Sequence, residues 1–131
     1  MEQTFRITER IFPGGLILDL SGDLTRSAED LILQHHTWEQ GLPDARKCLV
    51  LNFSQVPYIN SAGIACLIRL TRTGMKSGFF TFAYGLTPHY QKLFRMVGLT
   101  EHMMIYPDEF SVLRRIEDLT DSPQGTKKDD S

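Results

Sequence analysis

The sequence predicts a single small α/β domain, in which a mixed open sheet of about four to five strands carries about four helices. Three observations predict this class. The length of 131 residues is that of one ordinary domain. Two strand-like segments come first, and helical and strand-like segments then alternate. The pattern ends near residue 120, so we expect a domain over residues 1–120 and a disordered tail over residues 121–131, which hold no large apolar residue.

The first two strands form a predicted hairpin. Residues 5–8 alternate apolar and polar side chains, and residues 16–20 are densely apolar. Pro13, Gly14 and Gly15 lie between them and are typical of a turn. We therefore expect the chain to begin with two antiparallel neighbours.

A first helix is predicted after the turn at residues 21–25. Ser27 followed by Asp30 resembles a capping box, which would begin this helix. The helix would carry His35 and His36 and end before Gly41. On a helix two neighbouring side chains point about 100° apart. We therefore expect these histidines not to share a metal ion.

Alternation continues through the rest of the chain. Residues 47–53 are almost continuously apolar, which is typical of a central strand covered on both faces. A helix is predicted from Ser61 to about Met75, and another opens at Thr87-Pro88, a favourable cap and first-turn pair. Strands are predicted at residues 79–83 and 103–106, before a last helix that opens at residues 107–109.

Composition argues against several classes of function. The net charge is −2 and the basic residues are scattered, so we expect no nucleic-acid partner. No apolar run reaches the 18 or so residues of a membrane span, and the first residues lack the pattern of a signal peptide. We expect a cytoplasmic protein without membrane insertion, in which Cys48 and Cys66 are buried reduced thiols.

We also find no pattern that predicts catalysis. The chain shows no nucleophile with a supporting base, no metal-ligand spacing and no glycine-rich loop between a strand and a helix. We therefore expect a binding protein rather than an enzyme, with no catalytic residues, no cofactor and no metal.

The most informative segment is the predicted helix start Asn60-Ser61-Ala62-Gly63. Either Asn60 or Ser61 would be the N-cap. A phosphate on Ser61 would be tolerated there, because free backbone amides and the helix dipole favour negative charge. On the local pattern alone a plain capping serine is the favoured interpretation, because capping serines far outnumber modified ones.

A longer match gives this serine a specific meaning. Residues 50–63, VLNFSQVPYINSAG, resemble the signature of the STAS domain family, the anti-sigma factor antagonists. The resemblance extends from Phe5 to about Leu119. Residues 22–24 look like the acidic loop of the family, and residues 85–88 and 97–99 match a loop and a glycine around its third helix.

The resemblance implies a bacterial partner switch. The unmodified antagonist binds an anti-sigma factor that is also a serine kinase, phosphorylation of Ser61 breaks the complex, and a serine phosphatase restores it. We expect a monomer or weak dimer. The implied partner-binding residues are Asn60, Ser61, Ala62, Gly63 and Ile64 at the helix start, with Gly22, Asp23, Leu24 and Thr25 in the loop.

Two departures from the family pattern leave a second function open. Asn60 and Asn52 stand where the family most often has aspartate, so each position lacks a negative charge. They favour the alternative of an unphosphorylated STAS adaptor in a sensory or transporter-associated assembly. A small-ligand carrier is a third alternative and would need a sizeable apolar pocket.

Overall fold

The structure, a computed structural model, describes residues 4–121. Its strands are β1 (Arg6–Phe12), β2 (Gly15–Ser21), β3 (Cys48–Gln55), β4 (Phe80–Tyr84) and β5 (Met103–Tyr106). Its helices are α1 (Arg26–Leu33), α2 (Ser61–Ser77), α3 (Pro88–Met96) and α4 (Glu109–Asp121). Single-turn 3-10 helices cover Trp38–Gln40, Pro43–Ala45 and Leu99–Glu101. The predicted tail falls outside the described residues from residue 122 onward, and its disorder stays a prediction.

The five strands form one mixed sheet in the order β1-β2-β3-β4-β5. β1 and β2 are antiparallel, from the pair Phe12 and Gly15 at the turn to the pair Arg6 and Ser21. All later neighbours are parallel. The predicted fold class is therefore confirmed, including the opening hairpin. Since β2 to β5 run the same way, their carboxyl ends lie along one edge of the sheet.

Helices cover both faces of this sheet. Leucines of β2 and β3 pack with α1, α2 and α3 on one face, whereas Val112 and Ile116 of α4 pack with Val50 and Phe82 on the other. β3 is therefore buried on both faces, as its apolar run predicted. Across residues 4–121, no helix is long and apolar enough to cross a membrane.

The two cysteines are buried free thiols on opposite sides of the sheet, in agreement with the sequence analysis. Burial raises the pKa of Cys48 to about 11 and that of Cys66 to about 12. Both are therefore protonated at neutral pH.

α1 differs from the prediction at both ends. Its N-cap is Thr25, which makes no side-chain capping bond, and Ser27 lies inside the first turn with its hydroxyl 3.2 Å from that of Thr25. The predicted capping box is therefore wrong. The helix ends at Leu33, so His35 and His36 follow it instead of lying on it. The indole nitrogen of Trp38 donates to the carbonyl of Ile32 at 2.9 Å and so ties the 3-10 turn to the end of α1.

A polar cluster holds the start of α4 against the sheet. The Arg10 guanidinium donates to Asp19 at 2.6 Å and to Glu109 at 2.8 Å, and Tyr84 donates to Glu109 at 2.7 Å. The hydrogen bonds from Arg10 lower the pKa of Asp19 and of Glu109, with Asn52 and Tyr84 as second donors. The cluster thus joins the edge strand, the central strands and the last helix.

Candidate functional site

The start of α2 resolves which residue caps the helix. Asn60 is the N-cap, with extended backbone angles, and its side-chain oxygen accepts from the Gly63 amide at 3.0 Å. The Asn60 carbonyl accepts from Ile64 at 3.0 Å. Ser61 is therefore the first helical residue, and its hydroxyl is not needed to satisfy the helix start.

Ser61 is exposed at the sheet edge where the parallel strands end. Within residues 4–121 its hydroxyl makes no hydrogen bond, and the first turn of α2 carries no acidic residue. The first amides of a helix carry partial positive charge. The surroundings of this hydroxyl therefore favour an added phosphate.

The loop at residues 22–25 lies directly beside the segment that leads into α2. The Gly22 amide donates to Gln55 at 3.0 Å and the Leu24 amide to Tyr58 at 2.8 Å. In return, the Leu24 carbonyl accepts from Asn60 at 3.2 Å, and Leu24 and Ile59 form an isolated parallel bridge. The two segments implied to bind the partner are thus joined by backbone hydrogen bonds.

Gly63 allows the helix to pack closely on that loop. A Cβ atom at this position would lie 2.3 Å from the Leu24 carbonyl oxygen, closer than any side chain tolerates. Gly22 has a φ of +105°, a conformation that favours glycine. These glycines therefore fix the relative position of loop and helix.

The nine implied partner-binding residues differ in accessibility. Asp23 and Ser61 are exposed, and Thr25, Asn60 and Ala62 are half-buried. The remaining four are buried: Gly22, Leu24, Gly63 and Ile64. The four buried residues position the backbone beneath this surface, whereas the other five are accessible to a partner.

Comparison with known sequences identifies the family. A sequence model of the STAS domain matches residues 4–111. The chain belongs to the STAS domain family. Among curated protein sequences, none matches the chain significantly.

Solved structures share the fold of this STAS domain at low sequence identity. An anti-sigma factor antagonist from Mycobacterium paratuberculosis matches with a TM-score of 0.70 and 19% identity over 90% of this chain and 100% of that one. The Bacillus cell fate determinant SpoIIAA in its phosphorylated form gives 0.64 and 21%, over 86% and 99%. A sulfate transporter family protein from Wolinella succinogenes gives 0.71 and 15%, over 86% and 93%. At these identities the likeness shows the fold.

Asn52, one of the two departures from the family pattern, has a defined role in this STAS domain. Its amide nitrogen donates to Asp19 at 2.7 Å, and its oxygen accepts from the Ser54 amide at 2.9 Å and the Ser54 hydroxyl at 2.6 Å. An aspartate could make the second set of bonds but would repel Asp19. The amide is therefore matched to this polar cluster.

Two tyrosines that the sequence analysis did not single out lie at the candidate site. Tyr58 is 50% exposed beside the loop. Exposed aromatic side chains are enriched at protein interfaces. Tyr90 of α3 is buried, and its hydroxyl accepts from the Ile59 amide at 3.0 Å, which braces the chain just before Asn60. Sequence showed Tyr58 in the motif, but its exposure depends on the tertiary fold.

A cleft of about 680 Å³ opens beside the site at the carboxyl ends of the strands. Its lining includes Arg6, Gly22, Ser54 and Thr87. Phe53, Val56 and Pro57 also line it, so its walls are of mixed polarity, and it is an open cleft rather than the enclosed apolar pocket that a small-ligand carrier requires.

Proposed function

We propose that this STAS domain is an anti-sigma factor antagonist whose binding is switched by phosphorylation of Ser61. The partner is an anti-sigma factor with serine-kinase activity, and a serine phosphatase resets the protein. The observation that carries the proposal is the exposed Ser61 hydroxyl at the first position of α2, beside the docked loop at residues 22–25.

The chemistry of this position supports a local switch. A phosphate adds about −1.5 to −2 charges at neutral pH. At Ser61 that charge meets the positive end of α2, so the domain stays folded. Ser61 and Asp23 lie on the same exposed surface, and a partner that covers this surface must desolvate the phosphate. The phosphate also repels any acidic group of the partner. Binding is lost without refolding.

The absent acid at Asn60 is compatible with this switch. Asn60 supplies the capping oxygen that an aspartate would supply, so the helix start keeps its geometry. Asn60 lacks the negative charge that an aspartate would offer to the kinase. In this proposal the rest of the surface recruits the kinase. In this proposal the domain acts in the cytoplasm as a monomer or weak dimer, by binding and without catalysis of its own.

The test uses the anti-sigma kinase encoded nearest to this gene. We expect Ser61→Asp to abolish binding in calorimetry while the circular dichroism spectrum stays unchanged. Thr120→Asp, which adds the same charge on α4 at the other face of the sheet, should bind like the wild type. Equal affinity of wild type and Ser61→Asp would contradict the switch.

Ser61→Ala separates binding from modification. The variant should bind the kinase but incorporate no phosphate from ATP, as mapped by mass spectrometry. Since Asn60 provides the cap, its unfolding free energy should stay within about 0.5 kcal/mol of the wild type. Phosphate on another residue of the variant would place the modification elsewhere.

An unphosphorylated adaptor is the second candidate. The fold likeness to the Wolinella sulfate transporter family protein favours it. In that case the wild type would bind a partner but gain no phosphate with kinase and ATP.

A further inference from the structure

Three side chains of metal-binding types converge beside the edge strand β1, outside the α2 site. The Nε2 atoms of His35 and His36 lie 2.9 and 2.6 Å from the same Glu9 carboxylate oxygen. One ligand atom from each residue lies within 4.8 Å of the other two. We propose that Glu9, His35 and His36 form a zinc-binding site.

Two imidazoles and a carboxylate form a donor set that zinc uses in proteins. Zn²⁺ binds imidazole nitrogen and carboxylate oxygen at about 2.0–2.2 Å in tetrahedral geometry, so its ligand atoms lie roughly 3.4 Å apart. The present separations of 2.6 and 2.9 Å are hydrogen-bond distances. To reach the zinc geometry, each imidazole must move away from the carboxylate oxygen by less than about 1 Å. The ligand atoms of the two histidines, which lie within 4.8 Å of each other, must also come to the same spacing, and zinc then replaces the protons between histidine and carboxylate.

The two histidines are held in place by a buried aromatic side chain. Trp38 is 2% exposed and its indole donates to Ile32 at 2.9 Å. Its ring stacks with that of His35 at a centroid distance of 6.3 Å and meets that of His36 edge-on at 5.3 Å. The His35 amide also donates to Ile32, at 3.2 Å. A rigid support of this kind reduces the ordering cost of binding a metal.

The site is open enough for an ion and a water. The side chains of His35, His36 and Glu9 are 25%, 26% and 23% exposed. Three protein ligands leave a fourth tetrahedral position, which solvent can fill. A bound ion would tie edge strand β1 to the turn after α1, a link that spans 26 residues between Glu9 and His35. Because zinc would bind the folded chain, it should raise the melting temperature.

Calorimetric titration of the tag-free, EDTA-treated full chain with Zn²⁺ tests the proposal. We expect one equivalent to bind, and Glu9→Gln and His36→Gln each to weaken the affinity at least about tenfold. His89→Gln and His102→Gln are matched controls, since both histidines are exposed and outside the cluster. They should bind zinc like the wild type. Circular dichroism checks that each variant is folded.

Cobalt provides a second, spectroscopic readout. Co²⁺ in the wild type and in His89→Gln should give the visible absorption of a four-coordinate site, and Glu9→Gln should lose it. If His36→Gln fails to fold, the conservative Glu9→Gln decides. Absence of saturable zinc binding by the wild type, or equal affinity of the wild type and Glu9→Gln, would overturn the site.

Discussion

The side-chain amide of Asn52 joins two different partners in the polar cluster. It donates to the Asp19 carboxylate and accepts from Ser54, so its two ends have opposite roles. We expect Asn52→Asp to lower the unfolding free energy by about 1–3 kcal/mol at pH 7, because a donor is lost and two carboxylates then face each other. Urea denaturation measures this difference.

A charge swap provides the control for that prediction. In the double variant Asp19→Asn with Asn52→Asp, an amide again faces a carboxylate at the same two positions. We expect the double variant to recover part of the stability lost in Asn52→Asp. The recovery should be incomplete, because Arg10 loses its ion pair with Asp19. If the double variant loses more unfolding free energy than the two single variants lose together, the repulsion argument is refuted.

At the scale of elements, the loop at residues 22–25 and the start of α2 act as one surface. Asp23 is its exposed charge, while Leu24 is fully buried and holds the loop in place. We expect Asp23→Lys to raise the dissociation constant for the proposed partner, an anti-sigma kinase, roughly tenfold without changing the melting temperature. Surface plasmon resonance should show most of the effect in the association rate.

Asp118→Lys is the matched control for this charge reversal. Asp118 is an exposed acid on α4, which packs on the opposite face of the sheet. Binding should be unchanged in this variant. If both reversals weaken the complex equally, overall charge rather than the loop determines the affinity.

The elements also show what sequence periodicity predicts and what it misses. β3 and α2 were predicted because an apolar run and a helical spacing each extend over several residues. The prediction for α1 is wrong because Ser27 and Asp30 imitate a capping box, whereas the real N-cap, Thr25, makes no side-chain bond to the helix amides. The turn after Leu33 accompanies the burial of Trp38, whose ring centroid lies 6.1 Å from that of Phe79. This contact joins residues distant in sequence, so the local pattern does not predict it. Because the sequence pattern places His35 and His36 on the helix, it does not predict that both converge on Glu9.

At the scale of the whole molecule, the cluster around Arg10 links both ends of the fold and makes it sensitive to acid. The hydrogen bonds from Arg10 hold the pKa of Asp19 below its ordinary 3.8 and that of Glu109 below its ordinary 4.5. Carboxylates with a lowered folded pKa contribute stability above their unfolded pKa, and this contribution is lost as pH falls through the folded value. We therefore expect the unfolding free energy to decrease below about pH 4.5.

Glu109→Gln should flatten this acid dependence, as measured by urea unfolding between pH 7 and pH 3. The effect should be modest and salt-sensitive, since the Arg10 side chain is 42% exposed. Glu117→Gln is the control on the same helix, because Glu117 makes no ion pair within residues 4–121. An identical pH profile for Glu109→Gln and the wild type would exclude the cluster as the source.

The whole domain was easier to predict than its site. Sheet class and hairpin follow from patterns repeated along the chain, and the family match covers residues 4–111. The site depends on single contacts between distant segments. Neither the choice of Asn60 over Ser61 as cap nor the bond from Ile59 to Tyr90 leaves a periodic signal. Such contacts become visible only when the sheet has brought the segments together.

The close packing of Gly63 on Leu24 also limits how this surface can be imitated. A linear peptide copied from residues 54–66 would keep the serine and its neighbours. It would lose the carbonyl of Leu24 that accepts from Asn60, and with it the fixed direction of the first helical turn. Inhibitors that mimic this surface therefore need two strands of backbone in one rigid scaffold, such as a cross-linked macrocycle.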